Sequence, residues 1–173
     1  MPQEVQGKVI DLFVSGVPQP KGSSRAFMAH GRPIITSTNK NLKSWEGVVR
    51  NALGMASVVL IKGPVAVSLW FTLPQPQTRA PKPRSADPRK RNPVPDTKPD
   101  LDKLARGTLD ALNRIAFEDD ARVVDLHVSK VYGDRVGVQI RVEELTTEFQ
   151  QTAQRSPTLP KTLLEVFSGP NSY

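Results

Sequence analysis

Residues 96 to 125 concentrate carboxylates in an otherwise basic chain. The stretch reads Asp100-Leu-Asp102-Lys-Leu-Ala-Arg106, then Asp110, then Glu118-Asp119-Asp120 and finally Asp125. Carboxylates gathered in one place repel. Either some take up a proton, at about 1.4 kcal/mol per pKa unit, or a cation neutralises them. An all-oxygen donor set suits a hard divalent ion such as Mg2+ or Mn2+. Such an ion can activate water, orient a phosphate and stabilise a leaving oxygen. On a basic protein this combination points to phosphodiester hydrolysis, with basic groups on the nucleic acid backbone and acidic groups on the metal. Each fragment also has a plain structural reading. Asp100 and Asp102 at a helix start are caps, and Asp119-Asp120 is an ordinary turn before a strand. Spacing alone leaves both readings open.

The elements around these residues follow from hydrophobic period. Residues 8 to 15 place Ile10, Leu12 and Val14 on one face at period two, a first strand. Residues 16 to 39 form a basic loop with Lys21, Arg25 and Arg32, and can hold a short strand pair, Arg25 to Ala29 with Pro33 to Thr36. From Asn41 the period becomes helical through Leu42, Trp45, Val49, Ala52, Leu53 and Ala56, with Thr38 or Asn39 as cap. Val65, Val67, Leu69 and Phe71 alternate as a second strand. Asp100 to Ala116 sets Leu101, Leu104, Leu112 and Ile115 at helical spacing. Residues 121 to 131 alternate, with Val124, Leu126 and Val128 on the apolar face and Asp125, His127 and Ser129 opposite. A turn at Tyr132-Gly133-Asp134-Arg135 leads to Val136, Val138, Ile140 and Val142, which predicts a hairpin. The expectation is an α+β fold of order β-α-β-α-β-β: a single mixed sheet of about four strands with two helices packed on it. A return strand can bring Asp119-Asp120 beside the first turn of the second helix only if it packs along that helix, which the hairpin order permits.

Composition sets the limits. The chain has 173 residues, 24 Lys or Arg against 17 Asp or Glu, and a formal charge of +7, which favours a polyanionic partner. There is no cysteine and only two histidines, His30 and His127. A disulfide scaffold, a thiol nucleophile and a Cys- or His-rich metal site are excluded. Residues 74 to 99 hold 8 of the 16 prolines and 7 Lys or Arg, so no regular element is expected there, only an extended basic loop. The expected organisation is a domain over residues 1–145 and a tail over 146–173 ending in Leu159, Leu163, Leu164, Val166 and Phe167. The longest aliphatic run, Val58 to Ile61, is far short of a membrane span, and Met-Pro-Gln-Glu-Val lacks the features of a signal peptide. A soluble, cytoplasmic protein without membrane contact is expected.

Three segments, Asp100-Leu-Asp102-Lys-Leu, Asp110-Ala-Leu and Asp119-Asp120-Ala-Arg-Val-Val-Asp125, together resemble the RusA family of Holliday junction resolvases, endonucleases of bacteria, prophages and phages. Gly16-Val-Pro-Gln-Pro-Lys21-Gly and Trp45-Glu46 are similar to phage members. The matching stretch runs from about residue 8 to 144. The resemblance implies a Mg2+-dependent homodimer (Mn2+ as a substitute) that resolves four-way DNA junctions by paired nicks. It implies Asp100, Asp102 and Asp120 as catalytic metal ligands, with Asp119 and Asp125 nearby. Two positions depart from the family: Lys103 stands where Asn is usual, and Arg106 where a lysine is usual. Arg106 lies one helical turn from Asp102 and can still meet the scissile phosphate, although Arg and Lys are not equivalent there.

Lys21, Arg25, Arg32, Lys103 and the loop cations Arg79, Lys82, Arg84, Arg89, Lys90 and Arg91 are candidate DNA contacts; the bland alternative is a solvated loop. Trp45 reads as core, Phe27 and Met28 as a less favoured wedge, and His127 as an exposed or hydrogen-bonded histidine. No phosphate-cradling glycine loop exists, which disfavours nucleotide hydrolysis. Two other readings compete with the resolvase: a catalytically silent branched-DNA-binding protein, and a broader flap or fork nuclease. DNA recombination and repair would be the setting of the activity.

Overall fold

The computed structural model describes residues 7–22, 24–29, 32–37, 39–76 and 94–145. Their elements are β1 (Val9–Ser15), β2 (Ser24–Ala29), β3 (Arg32–Ser37), α1 (Leu42–Met55), β4 (Val65–Leu73), α2 (Leu101–Leu112), a 3-10 turn (Asp120–Arg122), β5 (Val123–Tyr132) and β6 (Gly137–Glu144). One mixed four-stranded sheet and two helices form the body, as the hydrophobic periods predict. The expected strand pair in the first loop is present as β2 and β3, a separate two-stranded sheet in which Arg25 lies opposite Thr36.

Period-two alternation explains why β4 is central. Val65, Val67, Leu69, Phe71 and Leu73 all point into one core and are buried. Onto that face α1 sets Leu42, Trp45, Val49 and Leu53, and α2 sets Leu104, Ala105, Thr108, Ala111 and Leu112. Trp45 is a core residue, as expected. Truncating a fully buried aromatic such as Phe71 to Ala would cost about 3–5 kcal/mol. No helix among the described residues is long and apolar enough to cross a membrane.

The strand order is β1-β6-β4-β5, which corrects the predicted hairpin. β5 and β6 do not pair. β4 lies between them, parallel to β5 and antiparallel to β6. The physical reason is burial: β4 carries the most buried alternation and takes a neighbour on each side, while β5, with exposed apolar residues, takes the edge. A register shift opposite Val65 and Ala66 turns Val123 inward, so Val124, expected on the apolar face, is exposed. Leu126 and Val128 keep that face, opposite Val67 and Leu69.

α2 also ends earlier than its periodicity suggests, at Leu112. Arg114 has a positive φ of 64°, and its N–H donates to the Phe117 carbonyl, closing a turn that returns the chain to Ile61. At α1, Asn39 does not cap the helix directly. Its Oδ1 accepts from the N–H of Asn41, the residue before the first helical one, at 3.0 Å.

Candidate active site

The first turn of α2 is built from both ends of the sheet connections. Asp100 is its N-cap in extended conformation, and its carbonyl accepts from the Leu104 N–H at 3.1 Å. The Asp100 carboxylate does not cap the helix. It accepts instead from Lys103 Nζ at 2.6 Å. That hydrogen bond, and then the charge of Lys103, hold the Asp100 carboxyl below the usual carboxylate range; Lys98 and Lys130 add to this. The same pair raises Lys103, with Asp102 contributing. Asp102 and Arg106 are both exposed, four residues apart on one helix face.

Lys130 sits on the inward-facing register of β5, opposite Phe71. Its Nζ donates to the carbonyls of Thr97 at 2.8 Å and Pro99 at 2.9 Å. The C-terminal end of β5 is thereby stapled to the entry of α2. A half-open cleft of about 250 Å3 lies beside the staple, lined among others by Pro18, Gln19, Leu73, Lys98 and Tyr132. Sequence reasoning missed Lys130. The signal was present as a lysine in the inward series Leu126, Val128, Lys130, Tyr132.

The N-terminal loop wraps over the same helix. Lys21 donates its backbone N–H to the Lys103 carbonyl at 2.8 Å. The close approach requires Gly107, because a Cβ there would meet the Gln19 carbonyl oxygen at 2.9 Å. The Lys21 ammonium is ion-paired with Asp110, whose carbonyl accepts from Arg50 at 3.3 Å. Lys21 and Lys103, both proposed DNA contacts, thus already hold carboxylate partners. Arg32 is exposed at the start of β3. Arg79, Lys82, Arg84, Arg89, Lys90 and Arg91 lie outside the described residues, as does the tail from residue 146.

The remaining acids are elsewhere. Asp119 caps the 3-10 turn, accepting from the Ala121 N–H at 2.9 Å. That bond, then a hydrogen bond with the Asp120 side chain, hold Asp119 below the usual carboxylate range, assisted by Arg114 and Arg122. Arg122 also pairs with Glu118 at 3.0 Å. Asp120 and Asp125 are exposed. This group precedes the first residue of β5, whereas Lys130 marks the last turn of that strand and the first turn of α2. The interval from Val123 to Lys130 is about 23 Å at the usual rise of a strand. The expectation that the return strand carries Asp119-Asp120 to the helix start is therefore not met within one chain. β5 does lie along α2, but it runs antiparallel to it, so the two acidic groups occupy opposite ends. Among the described residues, no three His, Asp or Glu gather closely enough to hold a metal ion.

Residues 17–143 match the family model of endodeoxyribonuclease RusA. The chain belongs to the RusA endodeoxyribonuclease family. It is also 28% identical over 138 residues to the uncharacterized protein YqaN of Bacillus subtilis (strain 168), which covers 79% of this chain and 97% of that protein. The RusA match spans β4, β5 and all but the last residue of β6, together with both helices and both acidic groups, and begins after β1. A RusA-family fold thus frames two sets of carboxylates, each set among cations: Asp100 and Asp102 with Lys98, Lys103 and Lys130, and Asp119 and Asp120 with Arg114 and Arg122.

Proposed function

We propose that this RusA-family chain resolves four-way DNA junctions by paired phosphodiester cuts, using Mg2+ (or Mn2+) held by Asp100, Asp102 and Asp120, with Asp119 beside them, and working as a homodimer. The observation that carries the reading is the pair of half-buried Asp100 and exposed Asp102 at a helix start among three lysines. A surface that only binds DNA gains nothing from carboxylates near phosphates.

The donor chemistry fits a hard cation, since every proposed ligand is a carboxylate oxygen. The single chain, however, sets only Asp100 and Asp102 together, and the strand length separates them from Asp120. A second copy is the economical source of the missing carboxylates, and a two-fold dimer would then present two equivalent sites to a junction with two equivalent strands. When bound, the metal supplies an activated water and charge neutralisation. The chain's own residues do the rest. Asp100 would hold the metal through the carboxylate that accepts from Lys103. Lys103 and Arg106, the latter one turn on from Asp102, would meet a non-bridging phosphate oxygen. Lys130 holds the carbonyls before Asp100 and so fixes where that carboxylate stands.

The experiment is cleavage of an end-labelled synthetic four-way junction, with Mg2+ or with chelator, for wild type and Asp102→Asn. Metal-dependent symmetrical nicks by wild type, and binding without cutting by the variant, support the reading. One observation favours the silent DNA-binding alternative: Lys103 already occupies Asp100. Wild type that binds junctions but cuts in neither Mg2+ nor Mn2+ would establish that alternative. Equal cutting of flaps, forks and junctions in competition would establish the broader nuclease.

A further inference from the structure

The cleft beside the Lys130 staple has no part in the metal or phosphate chemistry. It holds about 250 Å3, less than the about 300–1,000 Å3 of pockets that bury a whole drug-sized ligand. That is room for one ring system. Its walls are mostly apolar: Pro18 and Leu73 are buried, and Pro99 and Tyr132 are half-buried. Among the described residues, the only polar side chains lining it besides the Tyr132 hydroxyl are Gln19 and Lys98. The Gln19 side-chain amide donates to the Val17 carbonyl at 3.2 Å and accepts from Asn39 Nδ2 at 3.3 Å. Those two bonds leave one N–H and one lone pair of the amide for a guest. Both walls are set before any guest arrives. Lys130 Nζ holds the Thr97 and Pro99 carbonyls on one side, and the close approach of Gln19 to Gly107 fixes the other.

We propose that this cleft takes one unstacked nucleobase of the DNA, next to the phosphate to be cut. The inference rests on the nuclease reading above and adds to it a subsite that reads a base. Three observations select this guest. The first is position. Lys98 and Pro99 line the cleft and the next residue is Asp100, so a base seated there belongs to a nucleotide at the cutting centre. The second is charge. Lys98 lines the cleft, and Lys98, Lys103 and Lys130 all lie within electrostatic range of Asp100. Cations beside an apolar slot match a nucleotide, which is anionic at its phosphates and flat and apolar at its base. The third is the lining. Proline rings and a tyrosine offer surfaces for stacking, and Gln19 offers a donor and an acceptor to a base edge. The consequence is selectivity. A base inside an intact duplex must unpair and unstack to reach the cleft, whereas a branch point offers bases that have already lost those contacts. The cleft therefore favours distorted DNA over plain duplex and, through Gln19, favours some cutting positions over others.

The test uses synthetic four-way junctions with a single abasic nucleotide, placed in turn at each position around the branch point. Affinity is measured in chelator, where no metal-dependent cutting can intervene. Wild type should bind about tenfold more weakly when one particular base is missing, the usual effect of losing one base–aromatic stack, and should tolerate its loss elsewhere. Val17→Trp fills the cleft from a rim position that is 53% exposed, and Tyr132→Ala removes the ring from its wall. Each variant should bind the intact junction about tenfold more weakly than wild type and be indifferent to the abasic substitution. Val17 lies outside the core, so that variant, with an unchanged circular dichroism spectrum, decides the matter if Tyr132→Ala does not fold. Finding no position where the missing base matters overturns the proposal. So does a loss that both variants suffer as strongly as wild type, because the base is then held elsewhere. Contacts between the Tyr132 ring and residues 77–93 in NMR spectra of the DNA-bound protein would give the cleft to the chain's own loop and also overturn it. The nuclease reading is separable. Junction cutting without an abasic effect removes the base cleft alone, and an abasic effect abolished by Val17→Trp in a chain that never cuts removes the nuclease alone.

Discussion

Subunit complementation gives the sharpest test of a divided site. Asp120→Asn and Asp102→Asn each remove one ligand, and each variant alone should lose cutting. The stretch of β5 from Val123 to Lys130, about 23 Å long, lies between the two acidic groups of one chain, more than one metal can bridge. If each site draws Asp102 from one copy and Asp120 from the other, a mixed dimer carries one intact site and one with both ligands missing. Random pairing makes about half the dimers mixed, so about one quarter of all sites are intact. Co-refolded variants, incubated with a supercoiled plasmid carrying a cruciform, should therefore recover nicking at about one quarter of the wild-type rate. The product should be nicked circle with little linear DNA, because a mixed dimer cuts only one strand. No recovery in the mixture, with both variants folded and dimeric, refutes the divided site. Residual cutting by Asp120→Asn alone refutes its role as a ligand.

Removing the Lys103 ammonium by Lys103→Asn should let the Asp100 carboxyl rise back towards its ordinary value, read by NMR titration, and should lower the Mg2+ concentration needed for half-maximal cutting. The sign is fixed by the direction of the shift: the Lys103–Asp100 pair is fully formed above the ordinary carboxylate value and is lost as pH falls through the lowered one. Gly107→Ala forces a Cβ to within 2.9 Å of the Gln19 carbonyl and 3.1 Å of Leu42, and should cost about 1–3 kcal/mol in urea unfolding. Lys130→Met should leave the fold intact but release the Thr97 and Pro99 carbonyls, lowering the cutting rate more than junction affinity. Replacing Arg79, Lys82, Arg84, Arg89, Lys90 and Arg91 with Gln should flatten the slope of log K against log salt by up to about 5, at about 0.9 per phosphate contact; an unchanged slope clears that loop of any role.

Much of the fold was legible because each element has one buried face. The alternation of β4 and the helical spacing of Leu42, Trp45, Val49 and Leu53 are dictated by the core they share. The β5–β6 neighbourhood was not legible. The turn after Tyr132 has hairpin composition, but adjacency in the chain does not report that β4, more deeply buried, claims the place between them. At the site, the helix start at Asp100 was readable from Pro99-Asp100 and the following period. The position of Asp119-Asp120 was not. Chain spacing tells how far a segment can travel, and here the direction of β5 along α2 decided the matter. Lys130 was hidden by the same ambiguity, since a lysine near a strand end reads as solvent-facing until a carbonyl is seen in front of it.

The distance between Asp100 and Asp120 along β5 has a consequence for dosage. A cutting centre shared between copies exists only in proportion to the dimer, so at low expression activity grows with the square of chain concentration. On the proposed dimeric reading, a lone newly made chain would carry two incomplete halves, and a branched substrate that gathers two copies would become the trigger for its own cleavage.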